Sequence, residues 1–191
     1  MSKKLSEMTL EELWQLFHVF LTEHNDRWNI WYNEEYQRLC VFLSSIKARI
    51  SHIGSTAIEN IWAKPIIDIL VEIPLENDIN KVKDLIVHNG YICMAENIQS
   101  ISFNKGYTEN GFAEKVFHLH LRYWGNNDEL YFRDYLNDNP MIAKEYEKLK
   151  LSLWKSYEHD RDGYTNAKHE FISEYTQKAK EKYKDRYNVK I

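Results

Sequence analysis

In this chain, His52-Ile53-Gly54-Ser55-Thr56 is followed after a short gap by Lys64-Pro65-Ile66-Ile67-Asp68-Ile69-Leu70-Val71-Glu72. The two stretches predict a strand that ends in a glycine–serine turn, then a short helix, then a second strand that carries Asp68. The free backbone N–H groups of such a turn, with the serine hydroxyl, can bind a phosphate. A carboxylate on the next strand can hold the Mg²⁺ that accompanies a phosphate. The pairing indicates nucleotide chemistry.

Asp68 is the candidate metal ligand and the first candidate catalytic group. Alternate residues of a strand share a face, so Ile66 and Leu70 lie on the same side as Asp68. A two-metal site usually presents a second carboxylate two residues away, ~7 Å along the strand, and here that position is Ile66. Glu72 has the right parity but lies ~13 Å away. The alternative interpretation is a structural carboxylate that caps the Gly54–Ser55 turn.

Gly54, Ser55 and Thr56 are the candidate phosphate-binding residues. Ser55 has a simpler interpretation as the N-cap of a helix through Ile58, and both can hold because an N-cap turn is also an anion site. Lys64 either reaches the same anion, as lysine charges do at phosphate sites, or is an exposed loop residue.

A second polar set lies on the predicted strand 116–123, where apolar residues alternate with His118, His120 and Arg122. A His-x-His pair can ligate a metal or act as acid–base groups, and Arg122 can bind phosphate. The alternative is a polar face covered by a helix, with locally hydrogen-bonded histidines. His52 is the second candidate metal ligand, on the assumption that its strand neighbours that of Asp68.

Near the C terminus, Tyr164 and Lys168 are one helical turn apart. Lys168 either points back into a cleft as a further phosphate ligand or is exposed to solvent. Arg133 and Asp134 predict an ion pair.

The remaining pattern predicts an α+β chain. Thr9 and Glu12 form a capping box for a short helix, and Phe17–Leu21 predicts a first edge strand. Strands are expected at 49–53, 66–73, 91–95, 100–104 and 116–123, and helices at 26–43, 80–88, 127–137, 140–158 and 164–187. We expect one domain over residues 1–191, with a mixed-sheet core over about 17–123 and a helical part over about 125–187.

Composition narrows the functional classes. The 191 residues carry a net charge of −4, which gives no general attraction to long nucleic acids or anionic membranes. No apolar run approaches the ~20 residues of a membrane span, and the polar N terminus lacks a signal-peptide core, so a cytoplasmic location is expected. Cys40 and Cys93 form no CxxC motif and are expected to be buried thiols. The motifs GxxxxGK[ST], GxGxxG, GxSxG and HExxH are absent from the sequence.

The run HIGSTAIENIWAKPIIDILVEI resembles the signature of the GrpB family. Further pieces fit the family pattern in order: Trp28, FHLHLR, YFRDYLNDNP and YTNAKHEFI. The resemblance covers nearly the whole chain. It implies a nucleotidyltransferase-like α+β fold, a mixed β-sheet flanked by helices with a helical C-terminal third. Gly54-Ser55 would correspond to the family's Gly-Ser turn and Asp68 to its retained acidic position.

The resemblance also carries a functional expectation. In the wider nucleotidyltransferase superfamily, two or three carboxylates bind two Mg²⁺ ions that align a nucleoside triphosphate for in-line attack. This chain departs from that pattern at Ile66, and offers His118 and His120 where a further acid would stand. The resemblance implies binding of a nucleotide or phosphorylated small molecule, with Mg²⁺ or Mn²⁺ as candidate cation and nucleotidyl transfer as candidate reaction. A catalytically degenerate binding or regulatory module and a histidine-based phosphoesterase using Zn²⁺ or Mn²⁺ stay open as alternatives. The oligomeric state stays open as well.

Overall fold

A computed structural model describes residues 3–188 and shows one mixed β-sheet. Its five strands lie in the order β1-β2-β5-β4-β3. Their bounds are β1 Arg49–Ile53, β2 Ile67–Ile73, β3 Ile92–Glu96, β4 Ser100–Thr108 and β5 Gly111–Tyr123. Strands β2 and β5 run parallel, whereas all other neighbouring pairs are antiparallel. The central parallel pair therefore joins two segments that are far apart in sequence.

Helices cover the sheet and make up the C-terminal third. The described residues form α1 Leu10–Leu16, α2 Arg27–Phe42, α3 Ile79–His88, α4 Asp128–Asp138, α5 Pro140–Trp154, α6 Arg161–Asn166 and α7 His169–Tyr183. Single 3₁₀ turns occupy Leu5–Glu7 and Ser55–Ala57. Both halves of the Thr9–Glu12 capping box are formed. The α+β class and the helical C-terminal third are confirmed.

One face of the sheet forms the main hydrophobic core. Alternate residues of β2 and β5 point to this face and are at most 4% exposed: Ile67, Ile69, Val71, Phe117, Leu119 and Leu121. Helices α2 and α3 cover them, with Trp28, Leu39 and Ile86 in the same cluster. Each buried side chain of this kind contributes roughly 1.5–3 kcal/mol, so the cluster fixes the register of the two central strands.

The opposite face is polar at its centre and packs against the C-terminal helices. Register pairs Asp68 with His118, Leu70 with His120 and Glu72 with Arg122. Leu130 of α4 packs on this face against Leu70 and Ile53. The apolar contact seats α4 over part of the face and leaves the Asp68 end open to a cavity.

Glu72 is a structural residue on this face. Its side chain is 0% exposed and accepts two hydrogen bonds from Arg49 of β1, at 2.6 and 2.7 Å. Asn127, immediately before α4, donates a third at 2.9 Å. A buried carboxylate needs such partners, and these tie β1 and β2 to the start of the helical part.

The predicted edge strand Phe17–Leu21 is wrong. Its backbone bonds to the C-terminal part of the chain: Val19 N–H donates to the Glu158 carbonyl at 2.7 Å, and the Val19 carbonyl accepts from Trp154 at 2.9 Å. Only a single bridge, Thr22 with Ala63, has strand character. The β-forming residues reflect burial, because Phe17, Val19 and Leu21 are core residues.

Other boundaries also differ from the prediction. The single helix expected at 164–187 is two helices, α6 and α7, with a break at residues 167–168. The helix expected at 140–158 ends at Trp154. Strands β4 and β5 form one long hairpin, because Gly106 lies at an irregularity inside β4 and does not end the strand.

Two composition-based expectations have structural outcomes. Cys40 and Cys93 are free thiols but only half-buried, so the expectation that both are buried was wrong. Within residues 3–188, no helix is both long and apolar enough to cross a bilayer.

We predict that Glu72→Gln destabilises the protein by about 3 kcal/mol, because it leaves the Arg49 charge without its carboxylate in a mostly buried setting. Urea denaturation measures the change. Glu96→Gln is the matched control: Glu96 pairs with Lys83 at 2.8 Å but is 54% exposed, so the loss of stability should be much smaller. Equal losses in the two variants would contradict the structural role of Glu72.

Candidate phosphate-binding site

A cavity of about 530 Å³ lies between the polar face of the sheet and the C-terminal helices. The sheet side contributes Gly54, Ser55, Thr56, Lys64, Asp68 and His118, and the helical side includes Tyr146, Lys150, Tyr164 and Lys168. Residues chosen from distant parts of the sequence therefore meet around one space.

The backbone of Gly54 lies close to the Asp68 side chain, and this close approach shapes the turn. Its φ of +71° and ψ of −174° lie in a region that is essentially restricted to glycine. A Cβ atom on Gly54 would lie 2.3 Å from Oδ2 of Asp68. The turn is a three-residue 3₁₀ helix with Gly54 at the N-cap position and no side-chain cap. The prediction of Ser55 as a helix N-cap is therefore wrong.

Asp68 sits between the Gly54 turn and two histidines. Its Oδ1 lies 3.4 Å from Nδ1 of His118 and 3.7 Å from Nε2 of His120. Burial by itself would raise the pKa of Asp68, but hydrogen bonds from His118 and His120, with their electrostatic attraction for the carboxylate, outweigh burial and hold that pKa well below its ordinary value. Asp68 is therefore ionised at neutral pH, with 28% of its side chain exposed.

His118 links Asp68 to Tyr107, a residue that the sequence analysis missed. Burial lowers the pKa of His118, against the opposing effect of Asp68, so the imidazole is neutral at pH 7. With Nδ1–H directed at Asp68, Nε2 accepts a hydrogen bond from the Tyr107 hydroxyl at 2.8 Å. The strand containing Tyr107 was expected to end at residue 104, which hid this contact.

His52 does not join this group. Strand pairing places Ile53 opposite Asp68 and His52 opposite Ile69, so the His52 side chain points to the apolar face. There it stacks on Tyr32, with ring centroids 4.6 Å apart, and its Nε2 lies 3.0 Å from Oγ1 of Thr56. The geometry does not support the predicted metal site shared by His52 and Asp68.

Arg122 does not line the cavity either. Its guanidinium forms a bidentate pair with Glu129 of α4 at 2.7 and 2.9 Å. The role predicted for Arg122 in phosphate binding is therefore replaced by a structural contact between β5 and α4. The predicted ion pair of Arg133 and Asp134 is formed, at 2.7 Å.

Three lysines of the cavity lining have no carboxylate partner among the described residues, whereas Asp128 and Glu129 of the same lining are paired with Lys180 and Arg122. Lys150 is 2% exposed and Lys168 is 8% exposed, while Lys64 is half-buried. Their ammonium groups lie over aromatic rings, Lys168 at 4.0 Å and Lys64 at 5.5 Å from the Tyr164 centroid, and Lys150 at 4.9 Å from that of Tyr146. Within the described part of the chain, no carboxylate oxygen lies within 4.0 Å of any of these three nitrogens.

Burial explains the unusual titration of the three lysines. Desolvation, with repulsion from neighbouring cations, lowers the pKa of Lys64 to about 8 and the pKa values of Lys150 and Lys168 to about 7. Lys150 also donates a hydrogen bond to the Trp62 carbonyl. Buried cations without anionic partners are costly, and an anionic ligand in the cavity would remove that cost.

The helix break explains why Lys168 faces the cavity. Lys168 occupies the N-cap position of α7, outside the regular helix. Sequence spacing predicted one continuous helix and left open whether the Lys168 side chain points into a cleft or to solvent. Lys150 was missed because it lies within a helix whose other charged residues are largely exposed.

The family model described as GrpB protein matches residues 18–178. The chain is 35% identical over 161 residues to the glutamate-rich protein GrpB of Alkalihalophilus pseudofirmus, covering 82% of this chain and 92% of that protein. The chain belongs to the GrpB family. It is also 33% identical to UPF0157 protein YqkA of Bacillus subtilis, matching 93% of this chain but only 53% of YqkA.

Solved structures agree with the GrpB assignment. The conserved protein GrpB from Enterococcus faecalis superposes with a TM-score of 0.73 at 32% identity, covering 86% of this chain and 99% of that one. The GLD-2/RNP-8 complex matches with a TM-score of 0.55 at 12% identity, over 88% of this chain and 69% of that chain. This GrpB chain therefore shares its α+β fold with the Enterococcus protein and, at much lower sequence identity, with a chain of the GLD-2/RNP-8 complex.

We predict that Gly54→Ala destabilises the protein by about 2–3 kcal/mol, because alanine is strained at this backbone conformation and its Cβ meets Asp68. Gly90→Ala is the control, since Gly90 also has a positive φ, +90°, but nothing lies within 4 Å of its added Cβ. Chemical denaturation of both variants separates steric contact from backbone strain. Similar losses would show that the approach of Gly54 to Asp68 contributes nothing.

We also predict that sulfate affinity falls as pH rises through 7 to 8. Lysine pKa values of about 7 and 8 in the free protein mean that the ammonium groups lose their protons across this range. Sulfate keeps its charge there, so titration calorimetry at several pH values reports on the protein alone. An affinity independent of pH would contradict binding at these three lysines.

Proposed function

We propose that this GrpB chain binds a nucleotide or another phosphorylated small molecule, with its phosphates between the Gly54-Ser55 turn and the lysine cluster. The observation that carries the proposal is the cluster itself. Lys64, Lys150 and Lys168 converge on one cavity, and none has a carboxylate partner within residues 3–188. Several cations facing one space favour a ligand with several negative charges.

The cost of this arrangement supports the proposal. A lysine kept in a mostly buried position near other lysines lowers the free energy of unfolding whenever it is charged. Tyr164, which lies under two of the ammonium groups, has a buried hydroxyl with no hydrogen-bond partner among the described residues. Native structures rarely leave such groups unsatisfied, and a bound ligand would account for both features.

The cavity has room for a nucleotide. Its volume of about 530 Å³ lies in the range of small-molecule sites. Away from the lysines, α7 contributes Ser173, Thr176 and Gln177 to the lining. These side chains offer hydrogen bonds to a sugar or a base, whereas inorganic phosphate alone would leave that end of the cavity unused.

Asp68 supports a role for one divalent cation. It is ionised and partly exposed, and Mg²⁺ is often held by one carboxylate together with substrate phosphates. In this proposal, Asp68 would hold one Mg²⁺ or Mn²⁺ ion, which would neutralise phosphate charge. A second metal would lack its carboxylate, because Ile66 stands two residues before Asp68. A zinc-dependent phosphoesterase would need a larger ligand set, and the described residues contain no group of three or more His, Cys, Asp or Glu side chains placed to hold a metal.

Nucleotidyl transfer is the second candidate function, favoured by an ionised carboxylate at the cavity, Asp68, which lies beside His118 and His120. An acceptor oxygen would bond to the α-phosphorus of a nucleoside triphosphate, and the bond to the leaving pyrophosphate would break. His118 already directs both ring nitrogens at Asp68 and Tyr107, so His120 is the candidate for accepting the acceptor's proton. If this reaction does not occur, the protein is a binding or regulatory module. Ile66 supports that alternative, because it occupies the position where a second carboxylate would stand.

The test is thermal and chemical unfolding with nucleoside triphosphates, pyrophosphate and phosphorylated metabolites, with and without Mg²⁺ or Mn²⁺. A ligand at one hundred times its dissociation constant should add ~2.7 kcal/mol to the free energy of unfolding. Lys168→Met should lose this gain while leaving the free protein as stable or more stable. Lys178→Met, at a lysine 47% exposed on the same helix, should retain it.

Each outcome has a direct meaning. A gain that is lost in Lys168→Met supports the lysine site, and a further loss in Asp68→Asn only when metal is present supports the cation. Turnover that stops on chelation would establish the transferase, whereas binding without turnover would establish the module. If no phosphorylated compound stabilises the wild type, the proposal is wrong.

A further inference from the structure

A second cavity of about 230 Å³ adjoins the cavity lined by Lys64, Lys150 and Lys168, here called the lysine cavity. The segment before the sheet and the start of β5 supply its apolar lining, which includes Phe17, Phe20, Phe112 and Val116. Lys64 and Ile66 line both cavities. The two cavities therefore share part of their wall.

Aromatic rings form the wall of the second cavity and extend behind it to Tyr107. The ring of Phe17 lies 4.5 Å from that of Tyr107 and 5.1 Å from that of Phe112, and Tyr107 lies 5.2 Å from Phe112. The hydroxyl of Tyr107 is the one that contacts His118. This ring cluster connects the second cavity physically to Asp68.

Arg161 supplies an unpaired cation to the same cavity. Its guanidinium lies 5.6 Å from the Tyr107 centroid. Within residues 3–188 no carboxylate oxygen lies within 4.0 Å of it, as is also true of Lys64. Glu114 and His18 also line the cavity, and Glu114 is exposed. The lining therefore combines aromatic rings with two cations that have no close anionic partner.

We propose that the second cavity binds a small planar aromatic anion, with its ring against Phe17 and Phe112 and its anionic group toward Arg161 and Lys64. Planar rings pack well against aromatic side chains, and a carboxylate or phosphate matches the guanidinium fork. A purely apolar ligand would leave the two cations without an anionic partner. The volume admits one or two fused rings. This ligand would lie beside the one proposed for the lysine cavity and would share Lys64 with it, but it can bind in the absence of a nucleotide.

The test uses 2-naphthoate as the probe, added to the intact protein in the absence of any nucleotide. Methyl NMR reports the position of binding, since Val116 lines only the second cavity and Ile172 only the first. We expect a saturable shift of the Val116 methyls with the Ile172 methyl unchanged. Neutral 2-naphthamide and non-planar cyclohexanecarboxylate should each bind at least tenfold more weakly.

Variants test the charge argument. Arg161→Gln should weaken 2-naphthoate at least tenfold, and Arg38→Gln, at an arginine 71% exposed on α2, should leave it unchanged. Glu114→Gln should strengthen binding, and it decides the matter if Arg161→Gln does not fold. No Val116 shift at millimolar probe, equal binding of the neutral amide, or shifts at Ile172 without Val116 would each overturn the proposal. The nucleotide proposal would be unaffected.

Discussion

The parallel pairing of β2 with β5 is the constraint on which the site depends. It sets Asp68 directly opposite His118 and, through the β4–β5 hairpin, brings Tyr107 within hydrogen-bonding distance of that histidine. The apolar residues on the other face hold this register, because a shift by one residue would turn the buried aliphatic side chains toward the polar face. The hydrophobic core and the site therefore lie on opposite faces of the same pair of strands.

Charge is distributed unevenly over the polar face. Away from the cavity, Glu72 and Arg122 are satisfied by Arg49, Asn127 and Glu129, and they fasten the helical part to the sheet. At the cavity, three lysines and Arg161 have no carboxylate at bonding distance within the described residues. At one end of the face the charged side chains are paired and stabilise the fold. At the other end the cations have no close carboxylate, and an anionic ligand would stabilise them.

The local pattern predicted much of this structure. Continuous apolar residues identified β2, the alternation at 116–123 identified the polar face of β5, and the Gly-Ser turn was placed correctly beside Asp68. The failures were tertiary in origin. Phe17–Leu21 has strand composition but gives its backbone bonds to the C-terminal part, and Lys150, Tyr107 and Arg161 carry no local signal that distinguishes them from ordinary helix or strand residues.

The sequence by itself determined the α+β class and the glycine at the turn, because hydrophobic periodicity and the backbone freedom of glycine are local properties. The family followed from the resemblance of the motifs around that turn. Only the tertiary structure decided which side chains meet. Strand pairing turned His52 to the apolar face and Asp68 to the cavity, and the break before α7 brought Lys168 over Tyr164. Distance, burial and pKa arise from groups far apart in the chain, so they exist only once the sheet and helices have packed.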